Sequence, residues 1–374
     1  MADISNASIV AHFSVLKDPR HEEMTLHNFQ DILIISICAM ICGIEHWTEV
    51  ELFAKAKESW FSTFLELPAG IPSHDTFGRV FSLLPPRRFQ RCFTAWVREA
   101  VGPLKRQTVP IDGKTICGSR RKGKKLTAFH VVSAWSTRNG VALGQKKVND
   151  KSNEITAIPG LLDELLLKGC IVTIDAMGCQ KEIAAKIIEK DADYVLALKK
   201  NHEKMFNQAE ELFEEGLENG FEDMETFEKS EKGHGREEKR TYWLTKKIDS
   251  IEGIEEWPGL KSIGYTLSER TIGEETSIDY RFFLTSLDGG VEEFATSVRE
   301  HWQVENSLHW VLDVGFREDE SRVREGYGAE NMAMLRKMAL NLLKQDKSIK
   351  AGIKSKRKVA GWDHDYLLKL LFSL

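Results

Sequence analysis

Three carboxylates in this sequence stand where chemistry could be done. Asp112 closes the apolar run Val109-Pro110-Ile111 and precedes Gly113-Lys114, and Asp175 closes Ile171-Val172-Thr173-Ile174 and precedes Ala176. Each run reads as a buried strand, so both acids fall where a strand meets a loop, the edge at which open α/β sheets bind ligands. An acid at a strand end is also a common turn or cap residue, so either one alone says little. Glu305 is the third, in Val298-Arg299-Glu300-His301-Trp302-Gln303-Val304-Glu305-Asn306-Ser307-Leu308-His309-Trp310. Read as a helix, His301, Glu305, His309 and Asp313 recur every four residues and share one face. Carboxylates converging at a sheet edge hold hard divalent cations such as Mg²⁺, which take oxygen ligands and keep positions open for water and phosphate. Two such ions about 4 Å apart suit in-line displacement at phosphorus. The same helix leaves a second chemistry open, with His301, Glu305 and His309 binding Zn²⁺ as a hydrolase site. That reading gives Asp112 and Asp175 no role.

The elements that must position these groups follow from periodicity. From about Leu26 to Val101 apolar residues recur at helical spacing, with Gly43 as a helix stop, Ser73 or Asp75 as an N-cap and Pro85-Pro86 as a break. After Pro103, Thr108 to Asp112, Leu126 to Trp135 and Val141 to Val148 read as three strands in series, an antiparallel meander. Helix, strand, helix, strand follow over Ile155 to Lys168, Cys170 to Asp175, Gln180 to Lys190 and Asp193 to Leu198, which implies parallel crossover units in a mixed α/β sheet. A segment that opens as a helix leads into three more strands, Arg240 to Ile248, Leu260 to Leu267 and Ile278 to Leu287, a β-rich insertion spanning about 200–290. Helical spacing returns from Val291 to about Gln345, broken near Gly315 and Gly326-Tyr327-Gly328. The division expected is a helical unit over 1–102 and an α/β unit over 103–374.

Composition bounds the rest. At 374 residues, 42% apolar and 29% charged, the chain has ordinary globular character and length for two or three units. The longest apolar stretch, Ile32 to Ile44, is too short for a membrane span, and the N-terminus lacks a basic region followed by an apolar run. These features point to a cytoplasmic protein. Six cysteines without a C-x-x-C pair read as reduced, mostly buried thiols. The net charge of −5 hides an asymmetry, because Glu203 to Glu238 carries 13 acids against 4 bases, leaving the rest at +4. Basic runs at Lys114 to Lys125 and Lys344 to Lys358 could neutralise phosphates, although solvated surface explains their charge equally well.

At these residues the sequence resembles the H-repeat-associated family of DDE insertion-sequence transposases, nearly end to end. The markers are Pro72-Ser73-His74-Asp75-Thr76-Phe77-Gly78-Arg79, Ile111-Asp112-Gly113-Lys114, His130-Val131-Val132-Ser133-Ala134, Ile174-Asp175-Ala176-Met177-Gly178-Cys179-Gln180, Asp193-Tyr194-Val195-Leu196-Ala197-Leu198-Lys199 and His234-Gly235-Arg236. The most specific is His301 to Asp313. The resemblance implies a ribonuclease H-like catalytic domain, a metal-binding triad of Asp112, Asp175 and Glu305, and Mg²⁺, or Mn²⁺ in its place, as two ions. It also implies cleavage of double-stranded DNA at transposon ends, strand transfer into target DNA and a homodimer on the DNA. Hairpin-forming relatives often carry Tyr, Arg, Glu and Lys around the catalytic Glu, where this chain has Val298, His301, Glu305 and Leu312. That departure counts against a hairpin intermediate.

Lys114, Lys199, Lys200, Arg299, His301 and Asn306 lie near the triad in sequence and are candidates to hold DNA phosphates. Arg236 and Arg240, in the insertion, are candidates to contact the DNA end, and Trp302 reads as core. The N-terminal helices could bind transposon ends without a clean helix-turn-helix or zinc-finger pattern. A non-catalytic DNA-binding descendant of a transposase is the alternative from another functional class.

Overall fold

A computed structural model describes residues 9–21, 25–120, 128–148, 154–233 and 235–372. Helices α1 (Ile9–Phe13), α2 (Phe29–Ile41), α3 (Trp47–Ala56), α4 (Glu58–Phe61), α5 (His74–Leu83) and α6 (Pro86–Val101) come first. The Asn28 side chain accepts from the Gln30 amide to start α2, and Ser73 does the same for α5 through the Thr76 amide. Nearly every residue of α2 is buried, so this helix is a central core element.

The α/β unit opens with β1 (Thr108–Ile116), β2 (Phe129–Ser136) and β3 (Val141–Lys147), the expected meander. Helix α7 (Glu154–Glu164), β4 (Ile171–Ile174), α8 (Lys181–Glu189) and β5 (Asp193–Leu198) then supply two parallel crossovers. The insertion holds α9 (Glu203–Glu218) and four strands, β6 (Glu225–Gly233), β7 (Arg236–Thr245), β8 (Ser262–Ile272) and β9 (Glu275–Thr285). The expectation of three strands missed β6, because Glu225–Gly233 is so polar that it has no apolar alternation to reveal it. These strands extend the main sheet, β9 pairing with β5, to give a nine-stranded order β3-β2-β1-β4-β5-β9-β8-β7-β6. The first five strands form the ribonuclease H-like core.

Helix α10 (Val291–His301), a π-helical stretch Val304–His309, α11 (Trp310–Phe316), α12 (Gly328–Gln345), α13 (Ile353–Trp362) and α14 (His364–Phe372) complete the chain. Helices α7 and α8 pack on one sheet face, and α10, the π stretch and α12 on the other. Helix α12 also packs against α2, α5 and α6, so the C-terminal helices share a core with the N-terminal ones. Buried Asn331 on α12 fastens this junction by donating to the Phe81 and Leu84 carbonyls, both at 2.8 Å. The basic tail contributes here too. Lys356 donates to the Leu343 carbonyl at 2.9 Å, and Arg357 donates to the Met40 carbonyl at 2.9 Å while its Nη1 pairs with Glu45 at 3.0 Å. Both side chains are buried, so these members of the basic run tie the fold together and are unavailable to phosphate. Residues 121–127 of the other basic run lie outside the described residues.

Asn331→Ala strands two buried carbonyls, and we expect it to cost roughly 1–3 kcal/mol, read as a lowered urea midpoint.

Candidate active site

The site begins where two strands part. Strands β1 and β4 run parallel through the pairs Thr108 to Ile111 with Ile171 to Ile174. Beyond Ile111, β1 stays paired with β2 as far as Ile116, whereas β4 ends and Asp175 caps a short 3₁₀ turn at Ala176–Gly178. Asp112 and Asp175 are therefore the first residues past the last parallel pair. Asp175 Oδ1 accepts from the amides of Met177 and Gly178 at 3.1 and 3.3 Å, which fixes its carboxylate.

Glu305 reaches the same place from the π stretch, and all three acids line one cleft of about 480 Å³. The face expected across His301, Glu305, His309 and Asp313 is turned toward β1 and β4, along a helix that passes through a π stretch at Val304–His309. His301 is drawn against β4, its Nδ1 3.0 Å from Thr173 Oγ1. His309 Nδ1 instead lies 3.4 Å from Asp112 and 3.2 Å from Glu305. Asp313 pairs with Lys114. Among the described residues, Asp112, Glu305 and His309 each bring a ligand atom within 4.8 Å of the others, a group that leaves out His301 and also Asp175, which joins the other two acids only as lining of the same cleft. The zinc set of His301, Glu305 and His309 is thus not assembled.

The charges in the cleft pull in opposite directions. Burial raises Asp112, but the hydrogen bond and charge of His309 outweigh it and hold this carboxyl below its ordinary value. Asp175 has no such partner, so burial raises it, with Glu154 and Asp112 adding repulsion. The hydrogen bond to His309 lowers Glu305. Burial would lower His309, yet its two carboxylate partners keep it above 6.5, whereas half-buried His301 is taken below that value by loss of solvation. Between Asp112 and Glu305 thus stands a histidine whose protonated form both carboxylates favour. Oxygen-rich and anionic, the donor set suits a hard divalent cation.

Lys114 is not free to hold phosphate. Its side chain is 9% exposed and pairs with Asp313 and, at 3.4 Å, with Glu318. Glu318 is fully buried beside Arg336, and Lys337 sits nearby, donating to Gln145 at 2.8 Å. Burial raises Glu318, but Lys337, Arg336 and Lys114 pull its carboxyl below 4.5.

The other candidates divide between two adjoining clefts. His301 and Lys199 line the first, and Lys200 lies over the Phe206 ring. Arg236, Arg240, Arg299 and Asn306 line a second cleft of about 530 Å³, joined by Arg270 and Arg281. Arg240 is tied to Glu231 and Glu238, and Arg236 to Glu238, so the insertion's own acids hold these guanidinium groups. Trp302 is not core. It is 41% exposed, borders both clefts and has the Arg281 guanidinium 5.2 Å from its ring centre, a cation–π contact. Its position after the helix turns it outward, which apolar character alone could not reveal. Sequence spacing placed His309 near Glu305, but its bridge to Asp112 depends on the sheet.

Comparison with known proteins now decides the family. The "Transposase DDE domain" model matches residues 103–342, and the "DDE_Tnp_1-associated" model matches 10–97. The chain belongs to the DDE transposase family. It is 42% identical over 374 residues to YncI of Escherichia coli O157:H7, covering 99% of this chain and 96% of that one. It is 40% identical over 369 residues to the H repeat-associated protein YhhI of Escherichia coli K12, covering 97% of each. Both are named as candidate transposases. YbfQ of the K12 strain, 35% identical over 74 residues covering 20% of this chain and 88% of that one, is named an inactive transposase. A solved piggyBac transposase synaptic complex with hairpin DNA aligns at a TM-score of 0.43 and 11% identity, over 99% of this chain and 78% of that one.

Because the folded carboxyl of Glu318 sits below its unfolded value, its contribution to stability is present above pH 4.5 and is lost as pH falls through the lowered folded value. Glu318→Gln leaves buried cations uncompensated and should cost about 3–5 kcal/mol at neutral pH. Urea titrations across pH should show the deficit shrinking toward acid.

Proposed function

We propose that this chain is a DNA transposase of an insertion sequence, cutting phosphodiester bonds at transposon ends and joining the freed 3′-hydroxyl to target DNA. The observation that carries this reading is the convergence of Asp112, Asp175 and Glu305 on one cleft at the parting of β1 and β4. In it, these three carboxylates hold one or two divalent cations, Mg²⁺ or Mn²⁺. Bound there, the ions supply activation of the attacking oxygen and stabilisation of the leaving oxygen.

The chain's own groups have separable tasks. Asp175 is oriented by two backbone amides, so its free oxygen has a fixed direction. His309 holds Asp112 and Glu305 in register and balances their charge when no cation does. Lys199, Arg299 and Asn306 line the two clefts and contact the DNA backbone without reading bases. Arg236 and Arg240 lie farther along the insertion and meet the DNA end once it displaces their acidic partners. In this reading 1–102 is an end-binding helical unit and 103–374 the catalytic one, and the protein acts as a homodimer on paired ends in the cytoplasm, at the nucleoid. No helix among the described residues is long and apolar enough to cross a membrane.

The test is cleavage of a labelled duplex carrying the element's ends. Mg²⁺ should give nicks at the end, and EDTA should abolish them. Asp112→Ala, Asp175→Ala and Glu305→Ala should each fall to the EDTA level while binding the duplex. Retained cleavage in one variant removes that residue from the triad. Binding without cleavage by the unaltered chain would favour a non-catalytic descendant.

A further inference from the structure

Another pocket, of about 350 Å³, lies between the helical and α/β units and shares no lining residue with the two clefts beside the triad. Its walls come from stretches far apart in the chain. The turn after β1 contributes Gly118, and a methyl group there would overlap the Asp319 carbonyl, so the missing side chain lets the backbone of 319–321 close up against it. Arg324 latches the two stretches by donating to the Gly118 and Ser119 carbonyls at 2.7 and 3.1 Å. Arg317 stands at a φ of 47°, the left-handed conformation in which a helix ordinarily ends on glycine. An arginine held there against the preference of its backbone puts a guanidinium on the pocket wall. From the helical unit come Glu45 and His46, just ahead of α3.

Arg336 lines the pocket from α12 and is under-partnered for its depth. It is 1% exposed, its ion pair with Glu318 spans 4.0 Å, and its Nε has no hydrogen-bond partner among the described residues. A guanidinium keeps its proton and offers five donors in a fixed fork, and leaving such a donor unpaired in a buried place is costly. The pocket's own acids are engaged elsewhere, Glu45 with Arg357 and Glu320 with Arg317. Exposed Arg322 adds a third guanidinium to the lining and Ser321 a hydroxyl. Arginine forks gathered around a polar hollow match the oxygens of a phosphate.

Building on the transposase reading, we propose that this pocket binds a backbone phosphate of the DNA end through Arg317, Arg322 and Arg336, with His46 bringing the helical unit to the same phosphate. Such a contact fixes where the DNA lies without reading its bases.

The test is ethylation interference on a labelled duplex carrying the element's ends, bound by the full-length chain in EDTA so that nothing is cut. Ethylation removes the charge of one phosphate and blocks a contact made there. Arg317→Gly suits the left-handed backbone and Arg322→Gln alters an exposed side chain, so both should keep their far-ultraviolet dichroism. Each should weaken binding about 3–10-fold and lower the slope of log K against log salt by about 1, and both should lose the same phosphate from the interference pattern. Arg336→Lys keeps a charge beside Glu318 but gives up the fork, and where it holds its dichroism it should lose that phosphate too. An unchanged pattern in Arg317→Gly and Arg322→Gln, or loss of a different phosphate in each, would overturn the inference and leave the triad untouched. A rise in thermal midpoint with inorganic phosphate, absent from both variants while their interference patterns stay unchanged, would mark a site for free anions and overturn it as well. No duplex binding by the unaltered chain would sink the transposase reading itself, and the DNA phosphate with it.

Discussion

Strands β1 and β4 can pair in parallel only as far as Ile111 and Ile174. Past that point β1 follows its antiparallel partner β2, and β4 turns into a 3₁₀ cap. Side chains from the ends of both strands meet at the gap so opened. Asp112 and Asp175 stand at its mouth, and Glu305 and His309 enter from above it. Without the divergence, Asp175 would be one more residue of a buried parallel strand, where an ionised carboxylate is costly.

Holding the gap open on the Glu305 side requires a rigid floor, and a buried ionic network provides it. Lys114 follows Asp112 by two residues on the same face and is gripped by Asp313 and Glu318. Glu318 in turn faces Arg336 on α12, the helix from which Asn331 reaches the N-terminal helices. Arg357 of α13 packs over the Phe316 ring and binds the Met40 carbonyl of α2. The elements that carry the triad thus rest on a core that both ends of the chain build together. Such buried charges are a poor source of net stability, but removing one partner is severe, and this makes the arrangement specific.

The insertion works differently. Its strands continue the main sheet, yet the outer half of β9 and nearly all of β6 are exposed, and the outer half of β8 is only partly buried. Arginines there line a cleft beside the triad, and the neighbouring glutamates neutralise them. The acidity that dominates the chain's net charge is in part this pairing, together with the solvent face of α9. Net charge is therefore a poor guide to partners here, because opposite charges meet within one surface.

Much of this was legible in the sequence. Apolar runs ending in acids located β1 and β4, three-to-four spacing located the helices, and their order gave the meander and crossovers of the sheet. Cap and stop residues such as Ser73 and Gly43 did their local work as expected. These features depend on near neighbours in the chain. The π turn at Val304–His309 lies outside that reach, since its contacts are with a sheet that the segment itself does not contain. For the same reason His309 bridges Asp112, Lys114 is locked to Asp313 and Trp302 faces outward. The polar strand β6 and the buried Lys356 and Arg357 follow the same logic, for polar residues carry no sign of burial or pairing until their partners are in place. By itself the sequence determined which groups could do the chemistry and which elements carry them. The tertiary structure decided which of them meet, because each meeting joins segments far apart in the chain through contacts no local pattern encodes.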